Sequence, residues 1–238
     1  MTPAVVRKFL RFTAVAVLTA TQPGCWEGTT STVQATILAS EGLVMTSNTG
    51  GASVPLAPGA HPGTGEILET TGASRVAIAL LPNLLVQLEP GTRLEIVRLA
   101  ITKDGNETGA AMQSRYAEVK LLKGRMFVSQ VWGEALAKFT VKTSLGELVT
   151  TSNALFYVED DADKTRVTCV SGSVGFQPRA AESVTRIPPG FVGEWSGANS
   201  TLVAAETDEG AQETLIEGLE IEQKLRQLIS EKRYALPR

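Results

Sequence analysis

Phe139-Thr-Val-Lys-Thr-Ser-Leu-Gly-Glu-Leu-Val149 alternates apolar and polar side chains, breaks near Gly146, and resumes through Leu148 to Thr151. A period of two places Phe139 and Val141 on one face of a strand, with Thr140 and Lys142 on the other. Glycine supplies the backbone freedom of a tight bend, so this stretch predicts two short strands joined at Gly146. The same habit extends in both directions. Toward the C-terminus come Leu155–Glu159, a polar turn, Arg166–Val170, Gly172 and Val174–Phe176. Toward the N-terminus come Ala117–Leu122, Gly124 and Met126–Val131, then Arg93–Ile101. Arg75–Leu81 and Leu84–Glu89 flank a Pro82-Asn83 turn, and Glu66–Thr70, Gly42–Thr46 and Val33–Leu38 lie before them. In Arg93–Ile101 strict alternation sets Leu94, Ile96, Arg98 and Ala100 opposite Glu95, Val97, Leu99 and Ile101. Short strands with no helical pattern between them predict an all-β, antiparallel-rich body: a sandwich, a barrel or a short solenoid-like stack. Inward positions such as Leu94, Ile96, Phe139, Val141, Phe156 and Val158 would contribute about 1.5–3 kcal/mol each on burial.

Both ends of the chain change character. Arg7, Lys8 and Arg11 precede an uncharged run from Phe12 to Ala20, followed by Thr21-Gln-Pro-Gly-Cys25. A basic segment, a short apolar core and a Pro-Gly break form the pattern of an export signal over residues 1–24. The apolar run is too short to span a bilayer, which takes about 20 residues. Gly24-Cys25 resembles the cleavage site of bacterial lipoproteins, with Gln22 where such sites usually have Leu. That resemblance implies lipid attachment at Cys25, with the polar residues 25–32 as a tether and the β-body over 33–205. Residues 206–234 turn helical. Thr207 is a candidate cap, Asp208 and Glu209 suit the positive end of a helix dipole, and Ala211, Leu215, Leu219, Leu225 and Ile229 share one broad face. Such a helix either docks on the β-body or protrudes to pair with a partner. Gly218 weakens it by up to about 1 kcal/mol.

Composition removes several function classes. The 238 residues are 43% hydrophobic, which is enough for a packed core. The formal charge is −3, from 22 Lys and Arg against 25 Asp and Glu. Setting aside Arg7, Lys8 and Arg11 leaves an acidic body with no basic stripe, so nucleic acid is not an expected partner. The single histidine, His61, sits in a Gly59-Ala-His-Pro-Gly loop, which rules out a clustered imidazole metal site and gives no triad context. Glu159-Asp-Asp-Ala-Asp163 lacks the alternating spacing of a calcium loop and reads as a solvated turn. Cys169, in Thr165-Arg-Val-Thr-Cys-Val170, reads as a buried inert thiol. No catalytic residue, cofactor or metal site is expected, and an envelope enzyme is the remotest reading.

From about Ala35 to Trp195 the order of motifs resembles the FecR-like domain family. Ala35-Thr-Ile-Leu-Ala-Ser-Glu-Gly-Leu-Val44, Gly65-Glu-Ile-Leu-Glu-Thr70 and Leu84-Leu-Val-Gln-Leu-Glu-Pro-Gly-Thr-Arg-Leu-Glu-Ile96 follow its opening half. Val119-Lys-Leu-Leu-Lys-Gly-Arg-Met-Phe-Val128 matches its strand turn, and Phe139–Val149 its Phe-x-Val strand, with Ser144 where Pro is usual. Asn153-Ala154 replaces the family's Gly-Thr. Fuller family members carry a cytoplasmic anti-sigma segment and a transmembrane helix ahead of the β-domain, and residues 1–32 resemble neither. The resemblance therefore implies a non-enzymatic envelope binding or sensing module that contacts another envelope protein, with a membrane reached through an N-terminal lipid. The alternative is a structural scaffold component of an envelope or secretion assembly, acting through the C-terminal helix.

Overall fold

The computed structural model describes residues 29–48, 51–103, 112–131, 136–179, 181–197 and 199–232. The first half comprises β1 (Thr29–Thr32), β2 (Thr36–Glu41), β3 (Val44–Asn48), β4 (Val54–Pro55), β5 (Glu66–Thr70), β6 (Arg75–Leu81), β7 (Leu84–Leu88) and β8 (Arg93–Lys103). The second comprises β9 (Met112–Gln130), β10 (Leu136–Lys142), β11 (Gly146–Thr150), β12 (Ala154–Asp161), β13 (Lys164–Gly172), β14 (Val174–Pro178), β15 (Thr185–Ile187), β16 (Phe191–Ser196) and β17 (Asn199–Ala204). A short 3-10 turn at Ala205–Thr207 leads into helix α1 (Glu209–Lys232).

Pairing sorts these strands into two layers. The first sheet runs β4-β3-β5-β8-β9-β10-β11-β14-β15, with β1 beside the far end of β8. The second runs β2-β6-β7-β9-β12-β13-β16-β17 and is antiparallel throughout. Strand β9 belongs to both. Its early residues pair with β8, and those from Gly124 onward pair with β7 and β12. Among the described residues one pairing is parallel, β9 with β10; it arises because the chain crosses to the second sheet along β9 and then returns beside its start. The three forms open from sequence resolve into a two-sheet sandwich with one solenoid-like step.

The crossing depends on Gly124. Ala117, Val119 and Leu121 face the core before it, and Met126 and Val128 face the core after it, so the alternation slips by one residue. Gly124 has φ +95, a conformation open to glycine but costly for other residues. The Thr92 hydroxyl accepts from Arg125 N at 2.9 Å and donates to Arg125 O at 2.8 Å, which pins the bend. Buried Thr70 supports Thr92 in turn, accepting from Thr92 N at 2.9 Å and donating to Glu89 O at 2.7 Å. The sequence pattern predicts two strands with a turn at Gly124; the molecule has a single bent strand, because each half finds partners in a different sheet.

Leu94, Ile96, Phe139, Val141, Phe156 and Val158 are all fully buried between the sheets. Strict alternation also fails in the middle of β8. The register shifts between Ile96 and Arg98, so Leu99 and Ile101 turn inward while Arg98 turns to solvent. A β-bulge of this kind keeps a charged guanidinium out of the core at the cost of one unpaired residue.

Helix α1 docks on the outer face of the second sheet. Ile221 and Leu225 pack on Leu38, Ala77, Leu85, Phe127 and Tyr157, giving a third layer. Phe127 and Tyr157 lie 4.5 Å apart between ring centroids. Leu219, predicted on the docking face, is instead 56% exposed. The cap also differs from expectation. Asp208 accepts from Ala211 N at 3.0 Å and holds Arg166 of β13 at 2.6 Å, whereas the Thr207 hydroxyl donates to Ala204 O. These contacts, the Arg166 hydrogen bond first, hold the Asp208 carboxyl below its ordinary value.

Gly218 is buried where the helix lies close against the sheet. A Cβ there would sit 3.0 Å from Phe127 Cε1 and 3.1 Å from Val170 Cγ2. The helix thus gives up propensity for proximity. Gly218→Val is expected to cost about 1–3 kcal/mol by overpacking. In Gly218→Ala the propensity gain of up to about 1 kcal/mol opposes a milder crowding. Urea midpoints of the two variants check this ordering.

Candidate interaction surfaces

The residues singled out by chemistry do not converge. Cys25 lies outside the described residues. His61 is exposed at the end of a loop, its Nδ1 3.2 Å from Thr36 Oγ1. Cys169 is fully buried, and desolvation pushes its thiol up to about 11, which makes it a poor nucleophile at neutral pH. Among the described residues no group of three or more His, Cys, Asp and Glu side chains is placed to hold a metal ion.

The acidic run splits. Ala162 and Asp163 form the turn of the β12–β13 hairpin, as expected, but Asp160 points inward and is 2% exposed. Its carboxylate accepts Ser144 N at 2.8 Å, Ser144 Oγ at 2.8 Å and Thr165 Oγ1 at 2.6 Å. Burial outweighs these bonds and pushes the carboxyl above its ordinary value. A one-residue difference in strand phase separates this clamp from its solvated neighbour Asp161, and no charge count reveals which of them faces in.

A charged face lies on the solvent side of the first sheet. Glu118 on β9 takes Lys142 Nζ of β10 at 2.5 Å and the Tyr116 hydroxyl at 2.5 Å. Arg98 stands 5.1 Å over the Tyr116 ring, within cation–π range. Burial raises the Glu118 carboxyl, but the hydrogen bonds from Lys142 and Tyr116 prevail and its net shift is downward. The Tyr116 phenol, donating to that carboxylate, is pushed up to about 12. Beside this cluster an open groove of about 640 Å³ is lined by Glu95, Lys120, Lys142, Glu147, Gln177 and Arg179. Charges of both signs along an open wall suit steering and orientation of a charged partner. Alternation along β9 marks Tyr116, Glu118 and Lys120 as outward-facing in the sequence. Their partner Lys142 emerges only from the parallel β9–β10 pairing.

A second surface is apolar. Ile216 is 63% exposed and Leu219 56% exposed on the outer side of α1, while the inward stripe is already spent on the sheet. This pair is what remains of the protruding-helix reading.

Comparison with known proteins places this architecture. The family described as "FecR protein" matches residues 66–175, a stretch running from β5 into β14. It excludes β15–β17 and α1. Two crystal structures of one candidate anti-sigma factor from Parabacteroides distasonis align with TM-scores of 0.42 at 19% and 18% identity. Each alignment covers 58% of this chain, which spans only 57% of the crystallised one. No curated protein matches in sequence. Residues 66–175 of this chain, which span the centre of both sheets, are similar to the FecR domain family.

Proposed function

We propose that this chain is a non-enzymatic binding or sensing module of a bacterial cell envelope, anchored by a lipid on Cys25 and contacting another envelope protein. The FecR match over residues 66–175 carries the reading. The N-terminal pattern of basic residues, short apolar run and Gly24-Cys25 supports export and anchoring. The charged groove, with Glu95 and Glu147 set among Lys120, Lys142 and Arg179, supports contact with a charged protein surface.

Site-specific photo-cross-linking from Lys120 or Gln177 in intact cells producing the full chain tests the contact. A discrete cross-linked envelope protein is expected. Its absence from these positions and from the helix alike would remove the binding reading. The scaffold alternative draws on one observation, the exposure of Ile216 and Leu219. Cross-links from the neighbouring exposed Glu213 or Glu220 alone, lost in an Ile216→Lys/Leu219→Lys variant with unchanged melting, would favour it. Deleting residues 207–238 is a poorer test, because α1 covers Leu38 and Phe127 and its removal would bare that apolar face.

For the anchor, Cys25→Ser is expected to move the protein from the membrane to the soluble envelope fraction. Mass spectrometry of the mature N-terminus gives the second readout. An unmodified terminus at any other residue would refute lipidation.

A further inference from the structure

The sandwich shields its sheet edges unevenly. In the first sheet β4 has two residues, one of them Pro55, and β15 has three. In the second sheet the outer edge of β2 is covered by the 57–62 loop, through Ile37 N to Ala60 O at 2.9 Å, Ala35 N to Pro62 O at 2.9 Å and Gly59 N to Ile37 O at 2.8 Å. Short strands, proline and covering loops are the usual means of blocking an edge. Strand β17 has none of them. It is six residues long, unbroken in register against β16, and contains neither charge nor proline. Among the described residues nothing pairs with its outer side. Leu202 is 42% exposed and Val203 39% exposed.

The orientation of its backbone follows from the hairpin. Ala205 N donates to Gly190 O at 2.8 Å, so odd-numbered residues of β17 direct their peptide groups toward β16. The peptide groups of Ser200, Leu202 and Ala204 therefore face outward. Ala204 O accepts the Thr207 hydroxyl at 2.7 Å, and its second lone pair stays open to a strand partner.

We propose that β17 pairs antiparallel with β17 of a second copy, about a two-fold axis at Leu202. In this register Leu202 faces Leu202, Ser200 faces Ala204 and Thr201 faces Val203. All the outward N–H and C=O groups then meet complementary groups, and no like charges are opposed. A shift of the axis to Thr201 would leave Ala204 without a partner. Self-pairing of one strand is isologous, so it closes at two copies and does not propagate. The strand lies outside the FecR match, so this dimer stands or falls independently of the proposed partner contact.

The test uses the full chain in detergent. Sedimentation is expected to give a dimer, and Leu202→Pro a monomer. Proline at position 202 removes an outward N–H and leaves the β16 pairing intact, so melting should change little. Leu202→Cys is expected to form a cross-linked dimer on oxidation, since directly opposed strand residues lie about 5.5 Å apart, within disulfide reach. Ser200→Cys alone should not cross-link, but should do so when mixed with Ala204→Cys. A monomer at all concentrations, a dimer that survives Leu202→Pro, or equal cross-linking from positions 200 and 202 would each overturn the proposal.

Discussion

Gly124→Ala is expected to lower stability by about 2–5 kcal/mol, the sum of left-handed backbone strain and overpacking. Two observations converge on this residue. Its φ of +95 penalises any side chain, and a Cβ built there would sit 2.6 Å from Thr92 Cα and 2.7 Å from Thr92 Oγ1. Neither neighbour can yield cheaply. Thr92 is fully buried, and its hydroxyl is engaged with both backbone groups of Arg125. The bend is also where β9 leaves one sheet for the other, so relaxation on one side would misregister the pairing on the other. For a chain of this size roughly 2–4 °C of melting temperature goes with each kcal/mol. The drop should therefore be readable by thermal unfolding. A loss under about 0.5 kcal/mol, the range of ordinary surface changes, would show that Gly124 is not the required hinge.

Asp160→Ala is expected to cost about 1–3 kcal/mol, chiefly because the half-buried Ser144 N is left with no acceptor. The Ser144 and Thr165 hydroxyls have second partners, in Asp161 O at 3.0 Å and Thr143 Oγ1 at 3.3 Å, so their loss is softened. The clamp ties the β10–β11 turn of one sheet to the β12–β13 hairpin of the other. Its pH dependence has a definite sign. The folded-state value is raised, so the folded protein takes up this proton more readily than the unfolded chain. Stability contributed by Asp160 therefore grows as pH falls from neutral through the raised folded value toward the ordinary value of 3.8. The deficit of the alanine variant should widen over that interval. Urea titrations at neutral and mildly acidic pH would check it. A deficit that narrows on acidification, as for a salt-bridged carboxylate, would contradict the assignment of burial as the dominant influence.

The charged groove and the outer side of α1 differ in what the sequence reveals of them. Outward placement of Glu118 and Lys120 follows from alternation, but the grouping of Glu118 with Lys142 and Arg98 requires knowing that β10 returns parallel to β9. The exposure of Leu219 runs against its helical phase. Gly218, Ile221 and Leu225 face the sheet, and this stripe leaves Leu219 outside.

By itself the sequence determined the strand-rich class, the positions of most strands, the inward faces at Phe139, Val141, Phe156 and Val158, the C-terminal helix and the FecR resemblance. All of these rest on local periodicity or on motif order, which survive without knowledge of distant contacts. Only the tertiary structure decided that β9 is one strand shared by two sheets, that Val97 bulges, that Asp160 rather than Asp161 is buried, and that Asp208 caps the helix. Each of these depends on which residue far away in sequence stands opposite. A one-residue slip in register reverses the answer while leaving the local pattern unchanged.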